Sequence, residues 1–250
     1  MTDHDRGYAR SIPAGRADMA VDAGLRAFML GVYNKLAIGL VLSGALAWVT
    51  ANVPAVRDVL FVTTPGGQLA GYTLLGWAVA FAPLILLLVA GFALRNPTPR
   101  SSGVLYWTIV ALIGASLGTV FLRYTDQSIA STFFITAAAF GSLSLFGYTT
   151  KRDLGPIGAF LVMGLIGLIR AMIVNMFMQS PAMMFAINII GVLIFAGLIA
   201  FDTQRLKMTY YQLGGDQAAM GVATNYGALT LYLNFINLFQ FLLAMMGSRE

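Results

Sequence analysis

The chain has 250 residues, of which 58% are hydrophobic and 10% are charged, and its formal net charge is +5. Soluble domains usually carry about 25% charged residues, so this composition excludes a globular protein with a charged surface. It is typical of an integral membrane protein, and a chain of 250 residues accommodates about six to eight spanning helices of roughly 20 apolar residues each.

The residue inventory also excludes several kinds of active site. Cysteine is absent, and the single histidine and the single glutamate, His4 and Glu250, lie near the two ends of the chain. Cysteine nucleophiles, serine–histidine hydrolysis and histidine-based zinc sites therefore lack their components. We expect no enzymatic activity, no resident metal and no cofactor. No basic run with interleaved aromatic residues indicates nucleic-acid binding.

The chain begins with a polar stretch and continues with apolar ones. Residues 1–28 contain four Arg and four Asp, and we interpret them as a cytoplasmic tail that is disordered or partly helical near Ala17–Phe28. Residues 29–250 are predicted to form the membrane domain, an all-α bundle of seven transmembrane helices. The predicted spans are residues 30–50, 72–94, 104–122, 131–149, 157–177, 183–204 and 226–247.

The basic residues predict the orientation of these spans. Eleven of the 15 Lys and Arg residues lie in the tail, at the start of the first span or in every second connection, and three lie on the opposite side. Basic residues are enriched in cytoplasmic segments, so we expect the N-terminus in the cytoplasm and the C-terminus outside.

Small residues recur at a helical spacing in two of the spans. Gly39, Ser43 and Ala47 follow one another every four residues in the first span, and Gly114 and Gly118 do so in the third. Small residues at this spacing allow helices to approach closely in lipid. We therefore expect both stretches to form helix–helix contacts.

Ionisable residues within the spans are the candidates for function, because a charge is costly in lipid without a partner or a cavity. Asp202 is the one carboxylate predicted below the membrane surface. With the sixth helix continuing to about Lys207, it would lie about 7 Å below that surface. Arg95 ends the second span at a similar depth and is its preferred partner; Arg205, one turn along the same helix, is the alternative. Arg170 lies too deep for a direct pair, and its role stays open.

The seventh span carries two asparagines on one helical face, Asn234 and Asn237. Asn234 is predicted at about the depth of Asp202. The two amides either bond neighbouring helices or, together with Arg170, line an ion path.

Three stretches of this sequence resemble the Bax inhibitor motif family. They are Gly147–Leu154, the end of the sixth span at Phe201–Gln204, and Ala228–Phe239 in the seventh span. The resemblance extends from about residue 25 to the end of the chain, and the excess of Arg over Lys is similar to that of the bacterial branch. It implies an inner-membrane protein with seven helices.

The resemblance further implies a pH-sensitive calcium leak. In the family, aspartates on the sixth and seventh helices share a proton, and an arginine of the second helix pairs with one of them to close the pore. Asp202 matches the first aspartate and Arg95 the arginine, so the resemblance implies an Arg95–Asp202 latch near the cytoplasmic mouth. Asn234 stands where the second aspartate is expected. Because asparagine cannot ionise, we expect a weakened response near neutral pH.

A second function stays open from the same resemblance. Some bacterial relatives bind and restrain a membrane-anchored ATP-dependent protease, which requires no ion path. The expected partners are accordingly membrane lipid, permeant calcium ions and, in the alternative, such a protease.

Overall fold

The structure is a computed structural model that describes the backbone of residues 14–93 and 96–248 and the side chains of residues 23–92 and 96–248. Seven helical segments of the described residues are long and apolar enough to cross a membrane, which confirms the predicted all-α bundle. The elements are α1 (Ala14–Asn52), α2 (Pro54–Leu60), β1 (Phe61–Thr63), β2 (Leu69–Tyr72), α3 (Leu74–Ala93), α4 (Pro99–Ser116), α5 (Gly118–Phe121), α6 (Asp126–Thr149), α7 (Gly155–Met178), α8 (Pro181–Leu213) and α9 (Gln217–Met246).

Capping residues set several of the helix bounds. Thr98 and Ser180 accept backbone hydrogen bonds at the starts of α4 and α8, each directly before a proline at the first helical position. The Asp216 carboxylate accepts hydrogen bonds from the first backbone amides of α9 at 2.9 and 3.2 Å. Gly214, with a φ of 57°, ends α8 in the left-handed conformation that glycine tolerates.

The first helix begins well before the first predicted span. It starts at Ala14 and continues without interruption to Asn52. Leu25 and Phe28 are buried in the hydrophobic core of the bundle. Helix α1 therefore continues across the boundary predicted at residues 28/29 and includes the stretch near Ala17–Phe28 that was predicted to be partly helical.

A short hairpin lies in the connection between the first two spans. Strands β1 and β2 pair antiparallel, with Phe61 opposite Tyr72. Gly67 lies in the turn with a φ of 83°, a backbone conformation that residues with a side chain rarely adopt. The ring of Tyr72 packs on Trp77, which stacks on Phe81 in α3. The hairpin is thereby held against the end of the second span.

Helix α9 lies at the centre of the bundle and packs against α1, α4, α6 and α8. At one end, Asn225 of α9 contacts Pro99 at the start of α4. At the other end, the backbone of Ser248 bonds Thr125 at the start of α6. We call the first the basic end, since it carries Arg100 in the first turn of α4 and the α6–α7 connection with Lys151 and Arg152, and the second the opposite end.

Both predicted small-residue stretches lie at helix contacts. A Cβ at Gly114 would lie 2.7 Å from the Ser43 Cα, so α1 and α4 approach too closely there for any side chain. Gly118 lies in the same way against Thr50 and Phe61. Ser43 and Ala47 are buried at the same face of α1, as predicted.

Candidate functional site

Asp202 lies deep within α8, with 4% of its surface exposed. The helix continues past residue 204, where the predicted span ends, and past Lys207, to Leu213. At 1.5 Å per residue, Asp202 therefore lies about 17 Å from the helix end at the basic end of the bundle. Its carboxylate is farther from that end than the sequence indicated.

Both oxygens of the Asp202 carboxylate have a partner. Asn234 on α9 donates a hydrogen bond from Nδ2 to Oδ2 at 2.7 Å. Arg205, one turn farther along α8, forms an ion pair from Nη2 to Oδ1 at 2.9 Å. The structure thus brings Asp202 and Asn234 together across two helices and adds an arginine from the same helix.

Arg205 lies between the carboxylate and the basic end. Its side chain is 55% exposed, whereas that of Asp202 is 6% exposed, so the pair joins a buried charge to a solvated one. The guanidinium carbon lies 5.6 Å from the centre of the Phe201 ring. This is the pair that the sequence left as the alternative. Arg95, the preferred partner, lies outside the described residues.

The structure does not place the other two candidate residues beside Asp202. Asn237 is half-buried, and its Nδ2 donates to the Leu233 carbonyl of its own helix at 2.8 Å. Arg170 is exposed on α7, a helix that packs mainly against α8, and its neighbours Ile166 and Ile173 are exposed as well. Arg170 thus faces away from the bundle interior.

A row of hydroxyl groups lies next to the carboxylate. Thr203 follows Asp202 in α8, and its hydroxyl is bonded to that of Ser144 on α6 at 2.9 Å. The Ser144 hydroxyl is bonded in turn to the phenol of Tyr33 on α1. This row joins α1, α6 and α8 at the level of Asp202, and the sequence analysis did not single it out.

A second polar cluster, also missed, lies nearer the basic end. The ammonium of Lys35 on α1 donates to the side-chain oxygen of Asn225 on α9. The Asn225 amide donates to the Pro99 carbonyl and to the Ser102 hydroxyl, both at 2.9 Å. A lysine inside an otherwise apolar stretch of the first span was the signal that could have indicated this cluster.

The site around Asp202 contains one ionisable carboxylate, so its chemistry is limited to binding and releasing a proton or a cation. Of the described residues, no three His, Cys, Asp or Glu side chains come together as a metal-binding group. One carboxylate with an amide and a guanidinium can bind a proton or interact transiently with a cation. It offers no nucleophile and no acid–base pair.

Comparisons with known proteins identify the family of this chain. The family model described as inhibitor of apoptosis-promoting Bax1 matches residues 25–250. The chain belongs to the Bax inhibitor-1 family. The match confirms the resemblance seen in the sequence and covers all seven spans of the bundle.

Bacterial members of the Bax inhibitor-1 family are similar over nearly their whole length. A protein of Caulobacter vibrioides is 71% identical over 250 residues, which cover 100% of both chains. The inner membrane protein YbhL of Escherichia coli K12 is 41% identical over 238 residues, 94% of this chain and 98% of YbhL. The protein RP147 of Rickettsia prowazekii is 40% identical over 243 residues, 97% of this chain and 98% of its own.

Proposed function

We propose that this protein is a calcium leak channel of the bacterial inner membrane that is closed at neutral pH and opens in acid. The proposal combines the function expected of a Bax inhibitor-1 protein with one observation. Asp202 is buried and both of its carboxylate oxygens are occupied, one by Arg205 and one by Asn234. Calcium is a permeant ion in this proposal and is not held at a resident site.

The closed state depends on the charge of Asp202. An ionised carboxylate holds the Arg205 guanidinium over the site and accepts from Asn234. Protonation removes the charge that attracts the guanidinium, and Arg205, whose side chain is 55% exposed, can then leave the carboxyl group for solvent. We infer that the contact between α8 and α9 then loosens and that ions enter from the basic end. Arg95, as in the latch expected from the sequence, is proposed as a further cation near the same carboxylate.

The identity of residue 234 sets the pH range in this proposal. An aspartate at this position would place two carboxylates within hydrogen-bond distance, and such a pair retains a shared proton to higher pH than an isolated carboxylate does. Asparagine donates to Asp202 and never ionises. Opening is therefore expected at lower pH than in relatives that have the aspartate pair.

The test is calcium entry into liposomes that contain the purified protein and a calcium indicator, measured from neutral to acidic pH. Wild type should admit calcium in acid and little at neutral pH, and Asn234→Asp should move the response towards neutral pH. Asn237→Asp is the matched control, because Asn237 bonds its own helix, and it should leave the curve where it was.

Two results would contradict the proposal. One is a steep wild-type response around neutral pH that Asn234→Asp does not move. The other is the absence of calcium entry at every pH, although a cooperative thermal unfolding transition shows that the protein is folded. The second result would leave the binding of a membrane-anchored protease as the remaining function, to be tested by co-purification with and without residues 1–13.

A further inference from the structure

A groove of about 430 Å³ lies between α1 and α6 in the half of the bundle nearest the basic end. Its walls are mostly apolar and include Met29 and Leu30 from α1 and Phe140 and Leu145 from α6. The hydroxyls of Tyr33 and Ser144, which also line it, are bonded to each other. The surface available to an occupant is therefore largely hydrocarbon.

The groove is open on the outer, lipid-facing side of the bundle, and its length along the helix axis is close to the thickness of one membrane leaflet. Leu30 and Leu145 on its rim are 53% and 63% exposed, so it faces the surroundings of the bundle. Helix α6 ends at Thr149, and Phe140 lies nine residues before it, or about 14 Å along the helix axis. Half of a hydrocarbon core of about 30 Å has nearly the same thickness.

One basic side chain, Arg26, lines the mouth of the groove, and a second, Lys207, lines the adjoining pocket and contacts Tyr148 at the mouth. Arg26 is exposed and has no ion pair or hydrogen bond with another described residue. The Lys207 ammonium lies 5.3 Å from the centre of the Tyr148 ring, which also lines the mouth. It donates to the Tyr148 carbonyl at 3.2 Å, and an ammonium has two further donors. None of the described lining residues is acidic.

We propose that this groove binds one anionic phospholipid of the leaflet at the basic end. An acyl chain occupies the groove along Phe140 and Leu145, and the phosphate lies between Arg26 and Lys207. The apolar walls, the depth of one leaflet and the two cations at the mouth each match one part of such a lipid. The lipid is independent of the calcium leak proposed above and is measured by binding, not by flux.

Both parts of the lipid contribute to its binding. The apolar walls add packing contacts with the acyl chain, which enters the groove from other hydrocarbon and not from water. A basic residue near the membrane surface attracts anionic lipid by an amount that corresponds to about fivefold in affinity. A zwitterionic phospholipid with the same chains lacks the net charge, so the groove should prefer phosphatidylglycerol to phosphatidylethanolamine.

The experiment measures lipid binding to the purified full-length protein by native mass spectrometry, with phosphatidylglycerol or phosphatidylethanolamine of identical chains. Gly141→Leu fills the groove, since a Cβ at Gly141 meets no atom within 4 Å and a larger side chain can enter the free space. We expect it to lower the affinity for phosphatidylglycerol about tenfold, because the added side chain occupies the place of the acyl chain and removes its packing contacts. Arg26→Gln should lower it about fivefold and lower the affinity for phosphatidylethanolamine less, because the ammonium of that headgroup offsets the charge of its phosphate.

Two matched variants control for changes elsewhere. Gly167→Leu adds the same side chain at another exposed helical glycine with no atom within 4 Å, and Arg100→Gln removes another exposed arginine of the basic end. Both should bind phosphatidylglycerol like wild type, and all four variants should unfold at a similar temperature.

The proposal is overturned if Gly141→Leu and Arg26→Gln bind phosphatidylglycerol like wild type. It is also overturned if the two control variants lose as much affinity for phosphatidylglycerol as Gly141→Leu and Arg26→Gln lose. Loss of both lipids in Gly141→Leu, with no preference for phosphatidylglycerol in wild type, would overturn the anionic occupant and indicate a chain-only site. A second readout uses the absence of cysteine in the chain. A fluorophore on Leu145→Cys should be quenched more by brominated phosphatidylglycerol than by brominated phosphatidylethanolamine.

Discussion

At the scale of single residues, the buried Asp202 carboxylate forms an ion pair with the largely exposed guanidinium of Arg205. Asn234 donates to it from the central helix, and Arg205 reaches it from one turn away with most of its own side chain in solvent. Exposed ion pairs contribute little, whereas a buried charge without a partner is strongly destabilised. The two sides of this pair are therefore unequal, and Asp202 is the residue on which the site depends.

The ion pair can be tested by a double-mutant cycle. Arg205→Ala and Asp202→Asn should each raise calcium leak at neutral pH, by about two- to fivefold for the exposed arginine. The double variant should resemble Asp202→Asn, because the two side chains act through one contact. Strictly additive effects in the liposome assay would show that they do not interact. Arg95→Ala, measured in parallel, tests the latch expected from the sequence.

Arg170 should be neutral for the leak. It is exposed on α7 among exposed apolar side chains and lies away from the hydroxyl row and the Asp202 pair. A long basic side chain at such a position extends towards the polar headgroups. We expect Arg170→Gln to show the wild-type rate and pH profile in the same liposomes. A changed pH profile would place Arg170 on the ion path after all.

At the scale of helices, the contact between α6 and α8 leaves no room for a side chain at Gly147. A Cβ there would collide with the backbone carbonyl of Ala200, two residues before Asp202. Backbone cannot move aside as a flexible side chain can, so Gly147→Ala should destabilise the protein by about 1–3 kcal/mol. Gly141→Ala, on the same helix with free space around it, should be neutral or slightly stabilising. Thermal unfolding in detergent measures both.

The spans were predictable because each consists of about 20 or more apolar residues, a pattern that few other structures share. The ends of the helices were less predictable. Helix α8 continues through Arg205 and Lys207 to Leu213, since a helix that leaves the hydrocarbon region needs no apolar residues. The β1–β2 hairpin is too short for a periodic pattern, so its residues resembled an ordinary connection.

The site was predictable in part for a similar reason. Depth along the helices and the family resemblance both placed Asn234 near Asp202, and the two are bonded. Depth alone could not choose among arginines, because Arg205 lies three residues from Asp202 on the same helix and reaches its carboxylate whatever the depth of the pair. The Lys35–Asn225 contact joins residues 190 positions apart, and no local pattern encodes such a pairing.

At the scale of the molecule, the polar features are distributed unevenly along the bundle axis. The Lys35–Asn225 cluster and the lipid groove lie towards the basic end, and Asp202 is reached from that end past Arg205. The opposite half contains a cavity of about 80 Å³ lined mainly by apolar residues such as Leu117, Phe133 and Phe239. The compartment that faces the basic end therefore sets the pH that acts on the proposed closure.

The orientation of the bundle decides which compartment this is. Seven spans place the start of α1 and the end of α9 on opposite sides. In the sequence, eleven of the 15 Lys and Arg residues lie in the N-terminal segment, at the start of the first span or in every second connection, which is the side of the basic end. Positive residues favour the cytoplasm, so the basic end should be cytoplasmic.

Cysteine labelling tests this orientation. The chain has no cysteine, so each introduced cysteine is a unique probe. In spheroplasts, an impermeant maleimide should label Asp58→Cys, which is exposed at the opposite end. It should label Lys151→Cys only after the membrane is permeabilised. The reverse pattern would place Asp202 under the control of external pH and make acid outside the cell the opening signal.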